Sequence, residues 1–376
     1  MPDALTRPRS IVLLGAGHTH LHVLRHWRDQ PRPGITLTCV SDFPVATYSG
    51  MLTGVLAGDY PPSAMEVPLT PLCEAAGARL VVGQVTPVDL SARELRVPGS
   101  PPVGFDLLSV GVGSAPSTRD TVFEPDTGVI AIKPMQTFLG RLRDALMHAA
   151  SKHRVLRVAI VGGGAAGVEI ALCLPAFVRA TTGRDTAYTL VSDGPILPDG
   201  STGLVRRATA ALLRAGISPL TGRVVLTANQ GVHLVDGRVV DADVVIWAKG
   251  ASPRPVLDLI ALPKDDDGFL ATTDTLQSTG HTQVFAVGDA GSIQGQAVPK
   301  AGVYAVRQGP VLLENLRRSL DGRPLQSFTP QRAFLKLLNA GGGVAIGEWH
   351  GLSVEGRWCR WLKDTIDTRF IAQFQR

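Results

Sequence analysis

Residues 158–169, Val-Ala-Ile-Val-Gly-Gly-Gly-Ala-Ala-Gly-Val-Glu, decide the fold of this chain. Four apolar residues predict a buried parallel strand, and an apolar run through Leu174 predicts a helix after it. Gly162, Gly164 and Gly167 have the G-x-G-x-x-G spacing, which permits a tight turn, close approach to a pyrophosphate and close helix packing. The helix N-terminus offers free N–H groups to phosphates. The stretch predicts a dinucleotide site, and a glycine-rich turn in an ordinary α/β core is the alternative.

A second copy of this pattern lies near the N-terminus. Residues 10–14 predict a strand, and Gly-Ala-Gly-His-Thr-His follows at residues 15–20. We expect Gly15, Gly17 and His18 at the phosphate end, together with His20. Because His20 replaces the third glycine, we also expect a slightly wider separation of strand and helix.

The histidines of this helix raise the question of a metal site. His18, His22 and His26 have the i, i+4 spacing of metal ligands on a helix. No carboxylate or cysteine stands near them, so the sequence predicts no metal site.

The duplication extends beyond the glycine-rich turns. In each half a later strand ends in a loop of glycine, other small residues and proline, at residues 111–116 and at residues 248–253. Small residues allow the backbone close to a ligand, so we predict Gly113, Ser114 and Gly250 as cofactor-binding residues. Two such units predict two dinucleotide sites rather than one.

Acidic residues are expected where strands end beside these sites. Asp42 follows the second strand of the first unit and is a candidate for the ribose hydroxyls, with simple solvent exposure as the alternative. Ser192 stands at the equivalent place of the second unit, followed by Asp193, which leaves NADH against NADPH open. Gly288 and Asp289 follow a later strand, and this carboxylate suits polyol hydroxyls near a pyrophosphate as well as a helix N-cap.

Composition limits the classes of protein and partner. The chain has 376 residues, of which 44% are hydrophobic and 18% charged, typical of a soluble globular protein of two or three domains. Its net charge of +5 is spread along the chain, which predicts no nucleic-acid partner and leaves phosphorylated cofactors or an acidic membrane surface. We expect a cytoplasmic protein, without a signal peptide or an apolar run of spanning length. Four separated cysteines predict neither a zinc site nor a local redox disulfide.

Residues 357–374 predict an amphipathic tail helix. Its apolar positions, expected on one face, are Trp358, Trp361, Leu362, Ile366, Phe370 and Phe374, interleaved with Arg357, Arg360, Lys363 and Arg369. This composition is typical of an interfacial membrane helix and of a helix docked on a core. The first alternative places the protein peripherally on the inner face of the cell membrane, in contact with anionic lipid.

Several of these stretches together resemble the two-dinucleotide-binding-domain flavoproteins of the pyridine nucleotide-disulfide oxidoreductase superfamily. They are residues 15–17, residues 162–169, the two small-residue loops and Val-Phe-Ala-Val-Gly-Asp at residues 284–289. Within the superfamily the chain resembles the type II NADH:quinone oxidoreductases, and more closely the NADH dehydrogenase-like flavoproteins found alone or fused ahead of selenophosphate synthetase. The stretches that carry this closer likeness are residues 48–52, 299–310 and 361–367.

The resemblance implies an α/β fold of two Rossmann-like dinucleotide-binding domains, with the NAD(P) domain inserted in the FAD domain, plus a small C-terminal region. We expect the FAD domain in residues 1–115 and 256–325, the NAD(P) domain in residues 116–255 and the C-terminal region in residues 326–376. A homodimer is left open.

The resemblance also implies cofactors and site residues. It assigns FAD to the first glycine-rich turn and Asp289, and NAD(P)H to the second turn. Glu169 matches the family's acidic residue on the nicotinamide and quinone side of the flavin, and Lys300 is the second predicted catalytic residue. Hydride is expected to pass from the nicotinamide to the flavin, and electrons then leave to a quinone or another small acceptor.

The chain departs from the respiratory enzymes at two places. Their quinone-site pattern Ala-Gln-x-x-x-Gln becomes Gly-Val at residues 302–303 with Arg307 at the second glutamine, and Lys249 stands where the second small-residue loop usually has threonine. Two alternatives therefore stay beside the NAD(P)H oxidoreductase. One is an FAD-binding accessory flavoprotein for selenium metabolism with little turnover, and the other is a sulfide:quinone oxidoreductase using Cys173 and Cys359.

Overall fold

The computed structural model describes residues 9–125, 127–152, 155–228, 231–331 and 333–375. Eight α-helices lie in these ranges: α1 His18–Asp29, α2 Leu52–Leu56, α3 Leu69–Ala75, α4 Met135–Lys152, α5 Ala165–Thr182, α6 Thr202–Arg214, α7 Gly302–Asp321 and α8 Arg357–Ile371. The strands in these ranges are β1 Arg9–Leu14, β2 Ile35–Ser41, β3 Val45–Thr47, β4 Glu66–Pro68, β5 Arg79–Val82, β6 Val88–Asp89, β7 Glu94–Leu95, β8 Val103–Gly104, β9 Leu107–Val110, β10 Ser114–Ala115, β11 Val122–Phe123, β12 Val129–Ala131, β13 Val155–Val161, β14 Asp185–Ser192, β15 Ser218–Thr221, β16 Val224–Ala228, β17 Gly231–Leu234, β18 Val239–Asp241, β19 Val244–Trp247, β20 Ser252–Pro253, β21 Leu270–Thr272, β22 Val284–Ala286, β23 Gly291–Ile293, β24 Lys336–Asn339, β25 Ala345–Trp349 and β26 Leu352–Gly356.

A five-stranded parallel sheet organises the first domain, in the order β22-β9-β1-β2-β5. β1, β2 and β9 are apolar and mostly buried because elements cover both faces of the sheet. α1 and α7 pack together on it. The chain leaves this sheet after β9 and returns to it with β22, some 170 residues later.

A second five-stranded parallel sheet repeats this order as β12-β19-β13-β14-β15. β13 is flanked by β19 and β14, just as β1 is flanked by β9 and β2. The two sheets are joined where β10 pairs antiparallel with β20, so the two small-residue loops lie side by side. The predicted α/β fold of two Rossmann-like units, one inserted in the other, is confirmed. The boundaries at residues 115, 255 and 325 stay predictions.

Helix α5 is the core helix of the second unit, and it corrects one expectation from the sequence. Its 18 residues have a mean hydropathy of 1.3, so by length and composition alone α5 could cross a membrane, whereas the sequence analysis expected no apolar run of that length. Half of this stretch is buried, where α5 packs against α2, α4 and its own sheet. Its apolar composition is explained by this position between the domains.

The C-terminal region consists of an antiparallel sheet, β24-β25-β26, followed by α8. α8 turns charged residues inward and tryptophans outward. Arg360, Lys363 and Asp367 are buried, whereas Trp358 and Trp361 are 56% and 68% exposed. The helix docks through its polar side because the buried charges find partners there, and its apolar side is left on the surface.

The end of the tail departs from the prediction of a single apolar face. The ring of Phe370 packs on that of Tyr48, with centroids 4.5 Å apart, and Phe374 packs on Phe370. The helix ends at Ile371, so Phe374 follows it and is buried. The six apolar residues therefore do not share one surface, and the last two belong to the interior.

Candidate functional site

The first glycine-rich turn connects β1 to α1. The N–H of Gly15 donates to the carbonyl of Val40 at 2.7 Å, which ties the turn to β2. Added Cβ atoms at Gly15 and Gly17 would lie 2.7 and 2.8 Å from the carbonyl oxygen of Gly111. The loop after β9 thus crosses too close for any side chain. Because α1 has no side-chain cap, its first N–H groups are available to phosphate oxygens.

His18 and His20 have different surroundings. His18 is the first residue of α1 and lies beside the turn, as predicted. His20 is buried, and its imidazole hydrogen-bonds the carbonyl oxygen of Gly15 at 2.6 Å and the Ser109 hydroxyl at 2.8 Å. His20 thus lies at the glycine-rich end of α1, but its ring is held by protein partners beneath the turn. Its ring fits under the turn because Gly111 has no side chain: an added Cβ would lie 2.7 Å from His20 Cε1.

Asp42 lies just after β2, at the place expected for a ribose-binding acid. Its carboxylate pairs with the guanidinium of Arg254 at 2.6 Å. Arg254 also donates to the carbonyl of Val112 at 3.4 Å. The Asp42 side chain is thus partly exposed and already paired, and its contact with ribose stays a prediction.

Ser114 and Asp289 come together at the carboxyl ends of β9 and β22. The Ser114 hydroxyl donates to Asp289 Oδ2 at 2.6 Å. Lys133, from the second domain, donates to the Ser114 oxygen at 2.7 Å and to Asp289 Oδ2 at 3.2 Å. Beside them the N–H of Gly288 donates to the buried side chain of Gln308 at 2.6 Å. Sequence reasoning missed Lys133 and Gln308, because neither belongs to a glycine-rich motif.

The second glycine-rich turn connects β13 to α5 in the way expected. An added Cβ at Gly162 would lie 2.5 Å from the carbonyl oxygen of Ala248, and one at Gly167 would lie 1.8 Å from that of Gly162. Gly164 has nothing within 4 Å of an added Cβ and is exposed. Gly250, with φ of +54°, turns the small-residue loop above. Two glycines permit close packing, and the third leaves room for a ligand.

Glu169 is the point where three parts of the molecule meet. It lies on α5, its Oε1 accepts from the hydroxyl of Thr53 on α2 at 3.2 Å, and the same oxygen accepts from the backbone N–H of Asn339 at 2.8 Å. Burial raises the pKa of its carboxyl group, against the influence of the nearby Lys363 ammonium and these two donors. Glu169 is therefore a carboxyl group that holds its proton more tightly than one in water.

Lys363 and Asp367 of α8 extend this polar cluster. The Lys363 ammonium donates to Asp367 Oδ2 and to the carbonyl of Gly50, both at 2.9 Å. Tyr48 donates its hydroxyl proton to Asp367 Oδ1 at 2.8 Å. Burial opposes the charge on Lys363, but Glu169 and Asp367 outweigh it and raise its pKa. The sequence marked residues 48–52 and 361–367 as a family likeness, yet it did not show that they meet.

The buried amide of Asn339 is a further donor beside Glu169. Its nitrogen has no hydrogen-bond partner in the described part of the chain. A buried donor without a partner is costly in a folded protein, and sites that accept a ligand are one place where it occurs. The residue whose backbone N–H binds Glu169 thus carries an unused side-chain donor.

Lys300 lies under the Asp289 loop rather than beside Glu169. Its ammonium donates to the carbonyl of Gly291 at 2.6 Å and lies 3.9 Å from the centroid of the Phe269 ring. Burial lowers its pKa, against the influence of nearby carboxylates. These contacts hold Lys300 against the loop that follows Asp289, and a catalytic role for Lys300 stays a prediction.

The histidines of α1 and the cysteines Cys173 and Cys359 were considered above for metal binding and for redox chemistry. Within the ranges described above, no group of three or more His, Cys, Asp or Glu residues is suited to a metal ion. His22 and His26 stack on each other at 3.9 Å. Cys173 and Cys359 are both buried as free thiols, and burial raises the pKa of each.

Both turns fit a dinucleotide. At each one a strand, a glycine-rich turn and a helix N-terminus face the space beside a small-residue loop, and added Cβ atoms at Gly113 and Gly164 would meet nothing within 4 Å. Residues 9–309 match the family model described as pyridine nucleotide-disulphide oxidoreductase. The chain belongs to this family. FAD and NAD(P)H are accordingly the cofactors of this pyridine nucleotide-disulphide oxidoreductase, and the residues of the two turns would hold them.

Curated relatives match most of the chain at low identity. Demethylphylloquinone reductase NdbB of Synechocystis is 26% identical, over 86% of this chain and 82% of its own. The type II NADH:quinone oxidoreductase of Staphylococcus saprophyticus is 22% identical, over 96% and 95%. The solved structure of NDH2 from Plasmodium falciparum in complex with NADH is 14% identical, covers 98% of each chain and has a TM-score of 0.80. The structural likeness confirms the fold.

Proposed function

We propose that this chain is an FAD-dependent NAD(P)H oxidoreductase whose electron acceptor is a quinone. The observation that carries the proposal is the position of Glu169, which lies on the helix of the nicotinamide turn and contacts Thr53 on the flavin side. A titratable group is thus placed between the two nucleotide sites. The names of the two curated relatives, both quinone reductases, support the acceptor.

FAD, when bound, supplies the redox chemistry by accepting hydride from the nicotinamide and passing two electrons onward. A quinone takes up two electrons and two protons, whereas NAD(P)H delivers a single hydride. One further proton must therefore enter from solution for each turnover. The protein's own task is to orient the two nucleotides and to hold and deliver that proton.

The polar cluster around Glu169 is suited to this task. Because its pKa is raised, Glu169 is able to carry a proton closer to neutral pH than an exposed carboxyl group. Lys363, Asp367 and Tyr48 form a hydrogen-bonded chain near it, and the Lys363 ammonium lies close enough to favour the ionised form of Glu169 once its proton has left. The cluster lies between α5 and α8, so it is partly shielded from bulk water.

Rapid mixing of the anaerobic holoprotein with NADH or NADPH tests the proposal. We expect bleaching of the flavin absorbance and its return on addition of a short-chain quinone. Glu169→Gln is expected to slow the return about 100-fold or more, the usual range for losing a general acid. Glu74→Gln, at an exposed position on α3, is the control and should behave as the wild type. Bleaching without return would overturn the quinone as acceptor.

The same rapid-mixing experiment distinguishes the NAD(P)H oxidoreductase from the accessory-flavoprotein alternative. A protein that holds FAD for a selenium-handling partner needs no hydride transfer, so neither nicotinamide would bleach its flavin.

The sulfide:quinone oxidoreductase alternative requires two thiols that react together. Cys173 hydrogen-bonds the carbonyl of Asn339 at 3.7 Å, whereas Cys359 lies against Gly347, so the two are not paired with each other.

The second part of the proposal is a peripheral position on an anionic membrane. It is supported by α8, whose charged side is buried and whose tryptophans are exposed. Trp358, Trp361 and Ile366 are exposed on α8, and Leu352 and Val354 are exposed on the strand before it. Exposed tryptophans next to arginines are typical of interfacial helices. The buried side of the same helix carries Lys363 and Asp367, so a lipid surface here lies next to the site that a lipid-soluble quinone must enter.

Cosedimentation with phosphatidylglycerol vesicles tests the membrane part. The double substitution Trp358→Ser with Trp361→Ser is expected to release most of the protein, while the fold is kept because both side chains are on the surface. Leu213→Ser, which removes an equally exposed apolar side chain from α6, is the matched control. Equal binding of all three proteins, or no binding by the wild type, would refute an inner-membrane position.

A further inference from the structure

Lys133 connects the two domains at the flavin side of the molecule. It follows β12 of the second sheet, yet its ammonium lies 3.2 Å from Asp289 Oδ2 and 2.7 Å from the hydroxyl of Ser114, both in the first domain. Its side chain is about one-third exposed and that of Asp289 is 15% exposed. The ion pair is therefore partly shielded from water, where charges interact more strongly than on an open surface.

The duplication of the fold explains why these two residues meet. β12 and β22 hold the same place in their sheets, at the edge beside β19 and β9. Each strand is followed by the same contact: the N–H of Val287 donates to Val110, and that of Ile132 donates to Trp247. Lys133 comes directly after Ile132, and Asp289 lies two residues after Val287. Equivalent strand ends of the two units thus face each other, one ending in a cation and the other in an anion.

The negative charges expected around Asp289 favour a cation at this position. Asp289 is an anion beside the turn that receives the FAD pyrophosphate, which is itself doubly negative. Lys300 is held on the Gly291 carbonyl, and burial lowers the pKa of His18 to about 4, which disfavours its charged form. Lys133 is the described cation that forms an ion pair with Asp289. An anionic cofactor next to a carboxylate is stabilised when such a partner offsets the repulsion.

We propose that Lys133 is a flavin-site residue supplied by the nicotinamide domain, and that its ammonium group, acting on Asp289, sets FAD affinity and the flavin midpoint potential. Lys133 is a positioning residue in this proposal, since its contacts are with Asp289 and Ser114. Gain of electrons makes the flavin more negative, so a nearby cation favours the electron-rich state. Removal of the cation is expected to shift the potential to more negative values.

The holoproteins of three variants test the proposal: Lys133→Gln, Lys133→Arg and Lys152→Gln. Glutamine keeps a donor for Ser114 without the charge, arginine keeps the charge, and Lys152 is exposed at the far end of α4. Potentials are measured by equilibration with a reference dye, and FAD affinity by loss of flavin on dilution. Lys133→Gln is expected to disfavour flavin reduction at least tenfold, which is about 30 mV for two electrons. It should also weaken FAD binding at least tenfold.

Lys133→Arg and Lys152→Gln are expected to keep both quantities within threefold of the wild type. A Lys133→Gln protein with unchanged potential and unchanged affinity would overturn the proposal. So would equal changes in the glutamine and arginine variants, because the role would then not depend on charge. If Lys133→Gln is purified without flavin, FAD retained by Lys133→Arg supports the proposal and FAD lost from both contradicts it.

A double-mutant cycle with Asp289→Asn asks whether Lys133 acts through Asp289. In that background Lys133→Gln is expected to weaken FAD binding at least threefold less than in the wild type. Additive effects would show that Lys133 acts on the cofactor without Asp289 and would refute this route.

Discussion

The two glycine-rich turns of this protein have the same hydrogen bonds and different packing. Gly15 and Gly162 donate to Val40 and Val191 on the neighbouring strand at 2.7 and 2.8 Å. In each unit the next loop ties back to the central strand, through Gly111 in the first and Ala248 in the second, both at 2.8 Å. The backbone frame of the turn is therefore the same in the two units.

The difference lies in how the helix approaches the strand. In the second unit Gly167 brings α5 so close that an added Cβ would lie 1.8 Å from the carbonyl oxygen of Gly162. In the first unit His20 fills the same place, and its room is supplied by Gly111. The requirement for a glycine has thus moved from the helix to the loop. A turn that lacks the third glycine therefore keeps the same backbone frame when the loop opposite the helix supplies the space.

The largest expected effect is at Gly167. Substitution by alanine pushes α5 away from β13, and because backbone atoms are in the way the cost should exceed the usual 1–3 kcal/mol of overpacking. We expect a loss of at least about 3 kcal/mol in the free energy of unfolding and loss of flavin reduction by NADH, measured by denaturant unfolding and rapid mixing. Gly164→Ala, which meets nothing within 4 Å, should retain the stability and raise the KM for NADH. Equal stability of the two variants would refute this packing argument.

The next effect is at Gly111, where the two turns differ. Gly111→Ala places a methyl group 2.7 Å from His20 and is expected to cost about 2–3 kcal/mol of stability. His20→Ala gives the methyl group room, so the double variant should lose at least about 1 kcal/mol less than the sum of the single variants. Chemical denaturation of the four proteins measures this coupling. Additive losses would mean that the imidazole does not fill the place of the third glycine.

The sequence indicated the fold and both glycine-rich turns because these depend on local spacing, as at Gly162, Gly164 and Gly167. It did not indicate the contacts of Lys133, Gln308 or Lys363, because each depends on residues that come together only in the fold. The prediction that the apolar residues of the tail helix share one face was wrong in part for the same reason. An apolar periodicity predicts a buried apolar face, but Lys363 and Asp367 have buried partners that no local pattern reveals.

The smallest expected effect depends on pH and separates the first turn from the second. Burial lowers the pKa of His20 to about 4, against the carbonyl of Gly15, which favours the protonated ring. The unfolded chain binds this proton from pH 6.5 downward and the folded protein does not, so stability falls as pH falls from 6.5 towards 4. Between pH 7 and pH 5 the loss from this one group is about 2 kcal/mol.

His20→Asn retains a polar side chain without a titration in this range. Denaturant unfolding at pH 7 and pH 5 should therefore show a smaller acid loss for the variant than for the wild type. The other histidines of α1 are present in both proteins, so the difference isolates His20. Equal acid losses would mean that His20 is already protonated in the folded protein at pH 5, and its ring would then have to donate to both Gly15 and Ser109. The second turn has Gly167 at the equivalent place and has no such dependence on pH, because its close packing is made by backbone atoms alone.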